Sequence, residues 1–154
     1  MNSLLFYAVM QMLMANEGFR AEPYQIRDVW HIGYGYNLEA RTPKPPCAKY
    51  KCLLWSKADA FYQLEQDVIR INSRLKLRYN CYKRLPLKGQ IVMIDMAYNI
   101  GIDGLLKFKE LMVSLCVKDY KAAGENILDS DYARIDVPNR ARRNVKILAE
   151  GYFL

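Results

Sequence analysis

The sequence predicts an α+β protein whose strands are few and early and whose helices are many and late. Between residues 29 and 36 large and small residues alternate with a period of two, the mark of a half-buried strand. From Ser56 onward apolar residues recur every three or four positions with charges between them, the mark of amphipathic helices. Glycines and prolines cut that second region into short segments, and no internal repeat or low-complexity tract is present. At 154 residues, with 52% hydrophobic and 25% charged residues, the chain fits one domain over 1–154 with a substantial core.

The apolar run Leu4–Ala15, with Met10, Met12 and Met14 as core filling, predicts a helix over 3–16. It is too short to span a bilayer, which takes ~20 residues, and Met1-Asn2-Ser3 lacks the basic start of a signal peptide. Glu17-Gly18 ends it, because glycine accepts the left-handed backbone of a helix stop. In the strand that follows, Trp30, Ile32, Tyr34 and Tyr36 fall on one face and His31, Gly33 and Gly35 on the other. The two glycines beside the only histidine leave open space where a large ligand can lie against bare backbone; a hairpin with glycines at its bends is the plainer alternative. Arg41-Thr42-Pro43-Lys44-Pro45-Pro46 begins a loop reaching about Leu54, either a rim or a passive surface loop.

Ser56 is placed as an N-cap with Asp59 in the first turn, and Ala60, Leu64, Val68, Ile71 and Leu75 mark a long helix over 57–78. Lys76–Arg84 is basic with interleaved tyrosines, as expected of a solvated helix end or of a surface that touches a polyanion. Pro86 opens a helix from Lys88 to Asn99, with Ile91, Ile94, Met96 and Tyr98 as its apolar stripe, broken by Gly101 and Gly104. Helices over Leu105–Val117 and Tyr120–Leu128, a short segment from Ser130 or Asp131, and a final helix from Asn139 to Glu150 with Pro138 in its first turn complete the chain; Gly151 stops it.

The net charge of +7 suits an anionic partner: nucleic acid, anionic lipid or a cell-wall polymer. No helix-turn-helix or other nucleic-acid motif accompanies it, so no nucleic-acid partner is expected. Cys47, Cys52, Cys81 and Cys116 allow three pairings; the spacing makes no convincing zinc site with one histidine, and free thiols are the expectation inside a cell.

Glu17 closes the first helix beside its unpaired carbonyls, a setting that suits a carboxyl acting as general acid. The pattern Glu17-Gly18-x-Arg20-x-x-x-Tyr24 followed by Ile32-Gly33-Tyr34-Gly35 resembles the bacteriophage T4-type lysozymes, the phage endolysins of glycoside hydrolase family 24. Met96-Ala97-Tyr98-Asn99-Ile100-Gly101, Asp119-Tyr120-x-Ala122-Ala123, Asp129-Ser130-x-Tyr132 and Pro138-Asn139-Arg140-Ala141-x-Arg143 follow in the same order. The resemblance covers nearly the whole chain, and the ordered set is more specific than any one motif.

The resemblance implies a lysozyme-like fold: a small N-terminal lobe with a β-hairpin over about 16–56, a linking helix over about 57–78, and a helical C-terminal lobe over about 84–154 packed with helix 3–16. Between the lobes it implies a cleft that hydrolyses the β-1,4 bond of N-acetylmuramic acid to N-acetylglucosamine in peptidoglycan. It implies a monomer with no cofactor and no metal, made in the bacterial host cytoplasm and acting on the cell wall and periplasm. The positive charge also suits an anionic membrane surface.

Glu17 matches the family's acid. Arg140 matches an arginine that pairs with that glutamate, Tyr98 an aromatic lining the sugar cleft, and Asn126 an asparagine that binds substrate, with Asn99 its neighbour. Two catalytic positions depart from the pattern. The second acidic position is Ile26, which can neither activate water nor stabilise an oxocarbenium ion, and the threonine before Ile-Gly is His31. The histidine after Gly-Tyr-Gly is Tyr36, and the stretch between Tyr24 and Ile32 is one residue shorter. Three alternatives follow: Asp28 replaces the missing acid; His31 serves as base or nucleophile; or the protein binds glycan without cleaving it. Between the first two a joint role is preferred, with His31 near the α face of the sugar and Asp28 as orienter or second carboxylate; a transglycosylase, for want of a well-placed water, is a further option. Arg27-Asp28 is equally a polar turn tip.

Overall fold

The computed structural model describes residues 1–40, 50 and 52–151, so the proline-rich loop expected from Arg41, and Cys47 within it, lie outside the described residues. The chain divides into two units, Met10–Asp67 and the pairing of Met1–Val9 with Val68–Leu154.

The first contains the latter part of helix α1 (Ser3–Glu17), which ends at Gly18, whose φ is +65°. Its opposite end is capped by Asn2, whose side-chain oxygen accepts the Leu5 amide at 2.8 Å. The chain then forms an antiparallel sheet in the order β1 (Arg20–Ile26), β2 (Val29–Gly33), β3 (Tyr36–Asn37). Strands β1 and β2 pair Tyr24 with His31 and Ile26 with Val29. The pairing is irregular between Arg20 and Tyr24, where Pro23 has no amide to offer a ladder. Arg27 and Asp28 join the strands with φ of 46° and 66°. Positive φ at both positions is the pattern of a two-residue type I′ turn, and this tight turn accounts for the short spacing before Ile32. Ile32, Leu38 and Tyr50 form the buried centre beneath this sheet, flanked by Trp30, Tyr36, Leu53 and Trp55.

The strand expected over 29–36 stops at Gly33. Gly33 and Gly35 have φ of +65° and +76°, which turn the chain and restart it as β3, so the predicted alternation fails beyond Ile32. The helix from Ser56 is as predicted: α2 runs Lys57–Arg78. The Ser56 hydroxyl accepts the Asp59 amide at 3.1 Å, and the Asp59 carboxylate accepts the Ser56 amide at 2.9 Å, a reciprocal cap. The Ser56 hydroxyl also donates to the Asp59 carboxylate at 2.6 Å, and that bond, followed by the one from the Ser56 amide, holds the Asp59 carboxyl below its usual range.

The larger unit is helical: α3 (Leu87–Leu105), α4 (Lys109–Cys116), α5 (Tyr120–Leu128) and α6 (Pro138–Glu150), with a 3₁₀ turn at Tyr82–Arg84 and a π turn at Tyr132–Asp136. Gly101, at φ 76° and ψ 160°, kinks α3 as expected, whereas Gly104 lies within it and does not break it. The helix expected over Leu105–Val117 starts later, at Lys109, because Leu106 to Phe108 close hydrogen-bonded turns onto the end of α3. Asp119 caps α5 through the Ala122 amide. Sixteen of the 23 basic residues and nine of the 16 acidic ones belong to this unit, so it carries the entire +7 while the hairpin unit is balanced.

The expectation of free thiols is overturned. Cys81 and Cys116 form a disulfide with Cα atoms 5.5 Å apart, and Cys52 is also disulfide-bonded. Packing of the segment after α2 against the end of α4 brings them together: the Tyr79 hydroxyl donates to the Met112 carbonyl beside the bridge. Nearby, fully buried Tyr82 donates to Asn72 at 2.9 Å, and burial pushes its phenol well above the usual range.

Replacing Cys81 and Cys116 together by serine opens a loop of 35 residues and is expected to cost about 3–4 kcal/mol; urea unfolding measures it, with a slope that rises because the unfolded chain expands. A raised phenol means that above pH 10 the folded state holds a proton the unfolded chain has lost. Stability is therefore full below about pH 10 and declines as pH rises above it. Tyr82→Phe should make that alkaline decline shallower in urea midpoints taken from pH 8 to 11.

Candidate active site

In the hairpin unit, the Glu17 carboxyl is seated on bare backbone. A Cβ at Gly35 would lie 2.8 Å from the Glu17 Oε2 and 3.3 Å from its carboxyl carbon. The seat exists because glycine leaves that volume to the carboxyl and accepts φ of +76°. Gly33 is filled in the same way by Trp55, whose ring lies 2.9 Å from where its Cβ would be. The open space predicted over the two glycines is therefore occupied, one half by an indole and the other by the candidate acid.

Tyr24 borders the same spot. Its phenol is pushed above the usual range first by burial and then by the Glu17 charge, while Arg20 and a hydrogen bond from the Gly35 backbone oppose the rise. The Arg20 guanidinium lies 4.5 Å above the Tyr24 ring, a cation–π contact inside this unit. Across the strand pair, the His31 ring centroid is 5.8 Å from that of Tyr24. The His31 Nδ1 is 2.9 Å from the Val29 carbonyl oxygen. A carbonyl can only accept, so Nδ1 carries the proton, and in the neutral ring Nε2 keeps a lone pair. Glu17, Tyr24, Gly35 and His31 thus form one neighbourhood.

Asp28 is not part of that neighbourhood by position: it is exposed in the turn, beyond the Ile26–Val29 pair that closes the hairpin. Ile26, at the usual acidic position, is the last residue of β1 and 51% exposed.

In the helical unit, Arg140 is buried and held by Asp95. Its Nε donates to Oδ2 at 2.9 Å and its Nη2 to Oδ1 at 2.8 Å, a bidentate pair. Asn144 donates to the same Asp95 Oδ2 at 2.8 Å. Sequence reasoning singled out Arg140 but missed Asp95 and Asn144. The available signal was a lone carboxylate in the otherwise apolar run Ile91–Ala97, which burial requires to be paired. Tyr98, half-buried, and Asn99, exposed, follow on α3. Asn126 on α5 donates its amide to the Ser114 hydroxyl at 3.1 Å, which fixes its orientation toward α4.

Among the described residues, no group of three or more His, Cys, Asp or Glu side chains is placed to hold a metal ion, and no helix is long and apolar enough to cross a membrane. A small antiparallel hairpin sheet next to a helix-end carboxyl, followed by a helical unit, is the arrangement of an α+β lysozyme-like protein. The family model described as phage lysozyme matches residues 14–143, most of the chain, and the protein belongs to that family. None of the curated proteins matches it. Its general role is that of a peptidoglycan hydrolase of the lysozyme kind, acting on the cell wall.

The seat of Glu17 is testable by itself. Gly35→Ala forces an alanine into positive φ and its methyl into the carboxyl. The expected loss is about 1–2 kcal/mol, read from chemical denaturation, with the far-ultraviolet circular dichroism preserved.

Proposed function

We propose that this hydrolase cleaves the β-1,4 bond between N-acetylmuramic acid and N-acetylglucosamine, with Glu17 as the general acid and His31 in place of the missing second acid. The observation that carries this reading is the Glu17 carboxyl seated on Gly35, with Tyr24 and His31 beside it. Glu17 protonates the leaving oxygen. The His31 Nε2, left with its lone pair by the Nδ1–Val29 bond, either takes a proton from water or attacks the anomeric carbon. Base action on a water inverts the configuration; attack by the ring gives a covalent glycosyl-imidazolium that water or another sugar opens with net retention. The second route includes glycosyl transfer.

Asp28 is the alternative second group, and its position in an exposed turn favours His31 over it. Tyr98, Asn99 and Asn126 are proposed to bind the glycan. Arg140, with its guanidinium fixed by Asp95, is proposed to support the acid. A monomer is the working unit in this reading. A protein that binds glycan without cleaving it is the rival, favoured by the apolar Ile26.

Clearing of purified peptidoglycan decides between these readings. Wild type should clear the suspension, Glu17→Gln should lose at least about a thousandfold, the scale of an essential proton-transfer group together with its electrostatic role, and both should melt alike. His31→Ala should fall by about a hundredfold or more and Asp28→Asn by less than about threefold. A reversed order assigns the second role to Asp28. An inert wild type across pH and salt leaves glycan binding as the function. The anomer first released, read by proton NMR, separates inversion from retention.

A further inference from the structure

We infer that Tyr24 is a positioning residue for the reaction, holding the acid Glu17 with its hydroxyl and aiming His31 with its ring. The inference rests on the roles proposed above for Glu17 and His31 and names what aligns them. All of these groups belong to the hairpin unit, Met10–Asp67.

The hydroxyl end meets the acid at residue 35. The Glu17 Oε2 packs over the Gly35 backbone, 2.8 Å from where a Cβ would stand, and the amide of the same residue donates to the Tyr24 hydroxyl. That bond occupies a lone pair of the phenol oxygen and leaves its proton free to be donated. Burial first, then the Glu17 charge, raises this phenol, so it stays protonated through neutral pH. Once Glu17 has passed its proton to the leaving oxygen, it is a carboxylate. A fixed donor beside that forming charge is worth more in the transition state than in the ground state.

The ring end meets the histidine across the strand pair. Tyr24 stands opposite His31 in the β1–β2 register, with ring centroids 5.8 Å apart and 31° between the planes. The Tyr24 ring is itself held at its face by the Arg20 guanidinium, 4.5 Å away, and at its tip by the Gly35 bond. On the histidine, the Nδ1 bond to Val29 holds one edge of the imidazole and the Tyr24 ring limits its swing, which together aim Nε2. One side chain therefore serves two reacting groups through two different atoms.

Kinetics on soluble glycan chains prepared from peptidoglycan separate the two ends. Tyr24→Phe keeps the ring and should lower kcat about tenfold while KM changes less than about twofold, because the lost bond strengthens only in the transition state. Tyr24→Leu removes ring and hydroxyl and should lower kcat about tenfold further. In a His31→Ala background Tyr24→Phe should keep its full effect, and Tyr24→Leu should cost no more than Tyr24→Phe. Melting curves of each variant read any loss of stability separately from kcat. A second readout needs no substrate. Ionisation of the Tyr24 phenol, assigned by its loss in Tyr24→Phe and followed by carbon-13 NMR where circular dichroism still shows the fold, should move to lower pH in Glu17→Gln and to higher pH in Arg20→Met. A wild type that clears peptidoglycan and a Tyr24→Phe variant that keeps kcat overturn the inference and leave the hydrolase reading intact. A phenol indifferent to Glu17→Gln overturns it whatever the kinetics. An inert wild type overturns the hydrolase reading and this one with it, so the clearing assay tells the two failures apart.

Discussion

The carboxyl of Glu17 lies where a side chain at position 35 would otherwise be, and the hairpin unit is shaped by that constraint. Position 35 must be glycine for space and for its positive φ. The same backbone turn ends β2 and starts β3, so the geometry that admits the carboxyl also defines the third strand. On the other side, α1 must stop at Gly18 for Glu17 to stand at a helix end facing the sheet. Tyr24 completes the seat through its bond from the Gly35 backbone. The register pairing Tyr24 with His31 then brings the only histidine to the same place.

The helical unit uses a different device. A carboxylate buried to zero exposure in α3 is tolerable only because Arg140 grips both of its oxygens and Asn144 donates a further bond. This network fixes α6 against α3 at one rotation, because a guanidinium fork accepts a carboxylate in few orientations.

Local features of the fold were legible in the sequence, and long-range ones were not. The bounds of α2 and α5 follow from caps at Ser56 and Asp119 and from apolar residues at helical spacing. The kink at Gly101 follows from one residue's backbone freedom. The Cys81–Cys116 bridge joins positions 35 apart and the Arg140–Asp95 pair positions 45 apart, separations at which no periodic pattern carries information. The predicted strand over 29–36 failed because alternation describes side chains and does not register the φ of the glycines between them. Glu17 and His31 stand out as candidates in the sequence because each is unusual where it stands. The filling of the space over Gly33 and Gly35 was not legible, since Trp55 arrives from a distant part of the chain.

The net charge of the chain is divided unequally between the two units. The hairpin unit, which contains Glu17 and His31, has no net charge, and the helical unit carries all of it. Toward an anionic polymer the net charge of the second unit is attractive, and that attraction weakens with ionic strength over a screening length of ~10 Å at 0.1 M. The hairpin unit, with its charges balanced, has no such net attraction to lose. Salt therefore weakens the attraction of one unit to a charged wall and has no matching net charge to act on in the other.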